Sequence, residues 1–176
     1  MGGCVNKQKE FTLEEKIELG EKNNKSSKKE YKNISKIDLI KAIEKVFELS
    51  DGKDYILNFD NNTVIANRTS ILYLVFSVSI DRDKWIIKLT EQKDSILVEI
   101  DLYRGQQVML TNMGDYSFKN HPTAYKLFEL FFTRVDYLLG LSEKWITCKE
   151  VDLNHMTDIT YYPLCYLAND EIPINK

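Results

Sequence analysis

The residues able to do chemistry are few: three cysteines, Cys4, Cys148 and Cys165, and two histidines, His121 and His155, in a chain of 176 residues. A thiol nucleophile with an imidazole base is the natural chemistry of such a set, Cys148 or Cys165 attacking while His155 takes the proton. No family signature surrounds either cysteine. A zinc site would need more ligands at closer spacing, and Cys148, His155 and Cys165 fit neither a C-x-x-C nor an H-x-x-x-H pattern. The chain contains no P-loop, no dinucleotide-binding glycine pattern, no G-x-S-x-G and no H-E-x-x-H. His121 precedes Pro122 and reads as a loop residue. Asp81, Asp83 and the group Asp60-Asn61-Asn62 offer oxygen ligands, but they fall where hairpin turns are expected, and turns favour Asp and Asn in any case. The chain therefore reads as non-enzymatic, with no cofactor and no metal.

Cys4 has a different setting. It stands in Met1-Gly2-Gly3-Cys4-Val5, and Gly2-Gly3-Cys4 resembles the end of a bacterial lipoprotein signal, where small residues directly precede the cysteine that becomes lipidated. The resemblance covers these three residues. It implies an acylated Cys4 and a protein anchored in the bacterial envelope, facing the periplasm; Val5, in place of Asp, after the cysteine implies the outer membrane. The two or three acyl chains of such an anchor would hold the protein effectively permanently, whereas one myristoyl chain binds only reversibly. Two other readings of the same residues stay open. One is myristoylation of Gly2 with palmitoylation of Cys4, for which Asn6 stands where Ser or Thr is expected. The other is an unmodified Cys4.

If lipid consumes Cys4, Cys148 and Cys165 remain as an even pair in an oxidising compartment. A disulfide closing their loop would add about 3 kcal/mol in the chain-entropy model. Two free buried thiols are the alternative in a reducing compartment. A net charge of −3 gives no reason to expect nucleic acid. The best apolar run, from Ile71 to Ile80, contains Ser77 and Ser79 and has the length of a strand, so membrane association would have to come from the lipid.

Residues 1–36 read as the lipidation site and a flexible polar tether. Positions 5 to 36 carry nine Lys and six Glu with few large apolar groups, and burial of such a segment would return less than the chain entropy it loses. As a coil of about 31 residues it would reach roughly 30 Å. Phe11, Leu13, Ile17 and Leu19 could form one transient helix before Gly20.

Residues 37–176 read as a single globular domain with an irregular C-terminal segment. Ser35-Lys36-Ile37-Asp38 resembles a capping box, and Leu39, Ile40, Ile43, Val46 and Phe47 recur at helical spacing up to Asp51-Gly52. Alternating runs then predict strands: Tyr55 to Phe59, Thr63 to Arg68, Ser70 to Ile80, Lys84 to Glu91, Ile96 to Tyr103 and Gln107 to Leu110. Turns are expected at Asp60-Asn61-Asn62, Asp81-Arg82-Asp83 and Arg104-Gly105. A loop holding Gly114, Tyr116 and His121 leads to a second helix beginning near Pro122. Its stripe of Tyr125, Phe128, Phe131, Phe132, Val135, Leu138 and Leu139 stops at Gly140. The expectation is an α+β fold: a meandering antiparallel sheet of about five or six strands with two helices packed on one face. This order, with its Trp145-x-x-Cys148 ending, also resembles small bacterial envelope lipoproteins of unassigned role.

The leading functional expectation is a membrane-anchored envelope lipoprotein whose domain binds another envelope component or plays a structural role. A second is a module binding a small molecule or lipid, with an apolar cavity between helix and sheet lined by Phe128, Phe131 and Phe132. The third is a cysteine hydrolase.

Overall fold

The protein is described from a computed structural model covering residues 11–51, 55–74, 77–108, 111–151 and 162–165. Cys4 and His155 lie outside the described residues. The alternation in the sequence becomes one six-stranded antiparallel sheet: β1 (Lys28–Lys32), β2 (Tyr55–Asp60), β3 (Thr63–Leu74), β4 (Ser77–Glu91), β5 (Ser95–Val108) and β6 (Thr111–Ser117). Strands β2 to β5 form a meander. β1 and β6 share the remaining side of β5, β1 pairing with residues 95–99 and β6 with residues 103–108.

Three longer helices complete the fold: α1 (Leu13–Ser26), α2 (Lys36–Asp51) and α3 (Ala124–Leu138), with short helices α4 (Cys148–Val151) and α5 (Tyr162–Cys165). The α+β class and the meandering sheet agree with the sequence; the number of helices does not, because α1 is added to the two expected. α2 starts where the capping pattern places it, with the Asp38 amide donating to Ser35 Oγ at 3.1 Å. Its buried Leu39, Ile43, Val46 and Phe47 meet the sheet face built by Val64, Ala66, Trp85, Ile87, Val98, Ile100 and Leu102. Phe131 of α3 stacks on Trp85 at 5.5 Å and lies 5.8 Å from Phe47, so the aromatic stripe fills the seam between helices and sheet.

The expected tether does not extend to residue 36. Thr12 and Glu15 close a reciprocal capping box, the Thr12 amide donating to Glu15 Oε2 at 2.8 Å and the Glu15 amide to Thr12 Oγ1 at 3.2 Å. α1 is then fixed by Asn23, whose Nδ2 donates to the carbonyls of Lys119 at 2.9 Å and His121 at 2.7 Å, while its Oδ1 accepts from the Tyr125 amide at 2.9 Å. β1 follows, and Tyr31 buries its ring in the core. Composition misses this because a few tertiary hydrogen bonds and one aromatic, not a broad apolar stripe, hold the segment down.

Two expected turns are also strand interior. Asp81-Arg82-Asp83 lies within β4, which pairs continuously with β3 from Leu74↔Ser77 to Thr63↔Lys88. Arg104-Gly105 lies within β5, whose pairing with β6 shifts register between Gly105 and Gln107. A Cβ at Gly105 would stand 2.1 Å from Asp115 Oδ1, the end of an exposed side chain that can turn aside. β6 occupies the stretch expected as a loop around Gly114 and Tyr116.

Candidate functional site

The inner face of the sheet reads as successive cross-strand rows. Val64, Ile87 and Ile100 form one row, Ala66, Trp85 and Leu102 the next, and Arg68, Asp83 and Arg104 the one after that. All three charged residues of this last row are buried. Arg68 Nε donates to Asp83 Oδ2 at 2.9 Å, reinforced by its Nη2, and Arg104 Nε donates to Asp83 Oδ1 at 2.9 Å. A carboxylate spanned by two guanidinium groups on the flanking strands can be kept out of water because each oxygen keeps a charged donor. Aromatic rings cover both ends of the row: Tyr55 lies 5.3 Å from the Arg68 guanidinium and Phe118 5.5 Å from that of Arg104. His121 stacks on Phe118 at 4.8 Å, with its Nδ1 3.0 Å from Thr123 Oγ1. With both Asp83 oxygens occupied by guanidinium donors, the row forms an electrostatic bridge across three strands.

A second buried cation, Arg134 on α3, ties the C-terminal part of the chain to the core. Its Nη1 donates to Ser50 Oγ at 2.7 Å and to the Leu164 carbonyl at 3.4 Å, and its Nε donates to the Ile146 carbonyl at 3.2 Å. The guanidinium also lies 4.8 Å from the centre of the Trp145 ring. One side chain thus joins α2, α3, the segment before α4, and α5. A third cluster sits between β1 and α3, where Lys29 donates to Asp136 beside Tyr31. The Tyr31 hydroxyl and Asp136 Oδ1 are both buried without a well-formed hydrogen bond. Burial first, and the Asp136 charge second, push the Tyr31 phenol far above its ordinary value.

The residues singled out from sequence are distributed as follows. Cys4 and His155 are outside the described residues. Cys148 opens α4, and its side chain is outside them as well. Cys165 ends α5, half-buried against the core. The Cys148–Cys165 pairing is carried forward as a proposal. Next to Cys148, Lys144 first and then the amide and hydroxyl of Thr147 hold the exposed Glu150 carboxyl at about 2.

Phe128, Phe131 and Phe132 are buried core residues. None of them lines an open depression of about 490 Å³ between α2 and α3. Ile34, Ala42, Leu138 and Leu139 form its apolar floor, and Asp38, Lys41 and Lys45 stand at its rim. Among the described residues no group of three or more His, Cys, Asp or Glu is placed to hold a metal ion, and no helix is long and apolar enough to cross a membrane.

Sequence reasoning places Asp83 and Arg104 in turns and assigns no site role to Arg68 or Arg134. A signal was present: Arg68, Asp83 and Arg104 each fall on the inward parity set by Val64 and Ala66, by Trp85 and Ile87, and by Ile100 and Leu102. Comparison of the chain with protein-family models, curated proteins and solved structures finds no match.

Proposed function

We propose that this chain is a lipid-anchored protein of the bacterial envelope whose α+β domain acts by binding rather than by catalysis. The observation that carries this reading is Gly2-Gly3-Cys4, standing with six residues between Cys4 and Phe11, the first described residue of the domain. Seven residue steps span at most about 25 Å when fully extended. An acylated Cys4 would therefore keep Phe11, just before α1, within about 25 Å of the bilayer surface. A disulfide between Cys148 and Cys165 belongs to the same reading, since it requires an oxidising compartment.

The test is intact-mass and non-reducing peptide analysis of the protein from its native membrane fraction. A mature chain beginning at diacylglyceryl Cys4, with Cys148 joined to Cys165, is the expected result. An unmodified Cys4 in a soluble protein overturns the anchor.

A small apolar ligand is the second reading, and the groove between α2 and α3 favours it over the Phe128, Phe131 and Phe132 seam. Its volume lies within the range of ligand pockets, and two lysines stand over an apolar floor. Native mass spectrometry of the purified protein tests it, a co-purified ligand that Leu138→Lys abolishes being the expected result.

A further inference from the structure

The charges of α1 are sorted by face. Lys16, Leu19, Gly20 and Asn23 follow the i, i+3, i+4, i+7 spacing that gathers side chains on one side of a helix, and Glu14, Glu18 and Glu21 fall on the opposite side. Asn23 seats the first face against residues 119–121 through its bonds to the Lys119 and His121 carbonyls. Glu15, at the border between the two faces, is turned back to Thr12 in the capping box. The side of α1 that meets the segment before α3 therefore carries a cation and keeps the helix's other three glutamates away.

Between that face and residues 119–122 lies a pocket of about 310 Å³, at the lower end of the range for ligand sites. Phe11, Leu19 and Pro122 give it apolar walls, Lys16 and Lys119 give it two ammonium groups, and Asn120 adds a side-chain amide. Its described lining contains no carboxylate. By contrast, the groove between α2 and α3 sets Asp38 beside its lysines, and a third depression, around residues 91–96, holds Glu91 and Asp94. Lys119 is ion-paired with Asp101 of β5, but an ammonium has three donors and can serve a second anion. Lys16 has no ion pair among the described residues.

We infer that this pocket holds the phosphate headgroup of an anionic phospholipid from the bilayer in which Cys4 is anchored, an inference that rests on the lipid-anchored reading above. Lys16 and Lys119 flank the phosphate, Asn120 donates to one of its oxygens, and Phe11, Leu19 and Pro122 meet the glycerol and the first carbons of the chains. Two observations select this occupant. The first is charge: two cations with no carboxylate in the lining favour an anion, in a chain whose net charge of −3 otherwise opposes approach to an anionic surface. The second is place: Phe11, itself part of the wall, stands seven residue steps from Cys4, so an acylated chain holds the pocket within reach of the headgroups. The apolar walls beside the cations suit a lipid better than a free inorganic anion.

Amide chemical shifts of the full, unacylated chain, titrated with dihexanoyl phosphatidylglycerol below its micelle concentration, test this, because a soluble lipid needs no anchor. The expected result is saturable shifts at Lys16, Gly20 and Asn120, with an affinity about tenfold or more above that for dihexanoyl phosphatidylcholine or inorganic phosphate. Lys16→Glu weakens binding by about tenfold or more with an unchanged circular dichroism spectrum, while Lys93→Glu, outside the pocket, leaves it unchanged. No saturable shift at these amides overturns the inference. So does equal affinity for phosphatidylcholine, because charge would then not select the ligand, and so does equal affinity for inorganic phosphate, which would make this a free-anion site. A Lys16→Glu protein that binds as well as the unaltered one overturns it too. The comparison of the three probes uses the unaltered chain, so the test stands even if a variant misfolds. Binding by a chain whose native Cys4 proves unmodified upholds the site and overturns only the anchor; an acylated Cys4 without binding does the reverse.

Discussion

Asp83 and Arg68, fifteen positions apart in sequence, form a two-point ion pair across β3 and β4, with Arg68 Nε donating to Asp83 Oδ2 at 2.9 Å inside the protein. Arg104 closes the other carboxylate oxygen from β5. Asp83→Ala would leave both guanidinium groups buried without this carboxylate. Breaking a buried pair by removing one partner costs about 3–5 kcal/mol, and that loss is expected from urea denaturation with the slope unchanged. A loss within about 0.5 kcal/mol, the usual size for surface substitutions, would mean that the row is solvated.

Asn23 is the residue on which α1 depends. Asn23→Ala removes three hydrogen bonds linking α1 to the segment before α3 and to α3 itself. At about 1 kcal/mol each the loss is roughly 3 kcal/mol. Hydrogen exchange should show amides 13–26 becoming labile while those of β3 to β5 stay protected. Unchanged exchange in α1 would show that the helix is held by other contacts.

Gly140 ends α3 in a two-bond C-terminal motif. Its amide donates to the Tyr137 carbonyl at 3.0 Å, and the Leu141 amide donates to the Asp136 carbonyl at 2.8 Å. Its φ of 73° lies in the left-handed region, where a side chain is strained. Gly140→Ala is expected to cost about 1 kcal/mol, measured as a shift in the denaturation midpoint. Gly20→Ala, at a helical position with nothing near an added Cβ, should be neutral or stabilising.

Tyr31 links stability to alkaline pH. Its phenol is held neutral in the folded protein by burial and then by Asp136, well above its ordinary value of 10.0. The contribution is complete below pH 10 and is lost as pH rises further, because the unfolded chain gives up a proton that the folded chain retains. The added slope is at most about 1.4 kcal/mol per pH unit. Denaturation midpoints from about pH 9 upward should fall less steeply for Tyr31→Phe than for the unaltered protein. Equal slopes would mean that Tyr31 ionises without unfolding.

The amphipathic stripes of α2 and α3 were legible in the sequence, as were the capping pattern at Ser35, the stop at Gly140 and the alternation within β2 to β5, although the expected strand from Ser70 to Ile80 straddles the end of β3 and the start of β4. Each is a local rule: side chains repeat every 3.6 residues on a helix and every two on a strand, so apolar spacing alone names the face that must be buried. That was enough to establish an α+β domain with an antiparallel meander.

Tertiary structure decided the rest. Asp81-Arg82-Asp83 has the composition of a turn, and it runs through β4 because Arg68 and Arg104 arrive on the flanking strands to neutralise Asp83. The polar stretch before Ser35 has the composition of a tether, and over 13–32 it folds because Asn23 finds carbonyls nearly a hundred residues away and Tyr31 finds the core. In both cases the partners are distant along the chain. Charge and polarity mark a residue as solvent-facing only while such partners are missing, and whether they arrive is decided by the pairing of strands and helices, not by the local sequence.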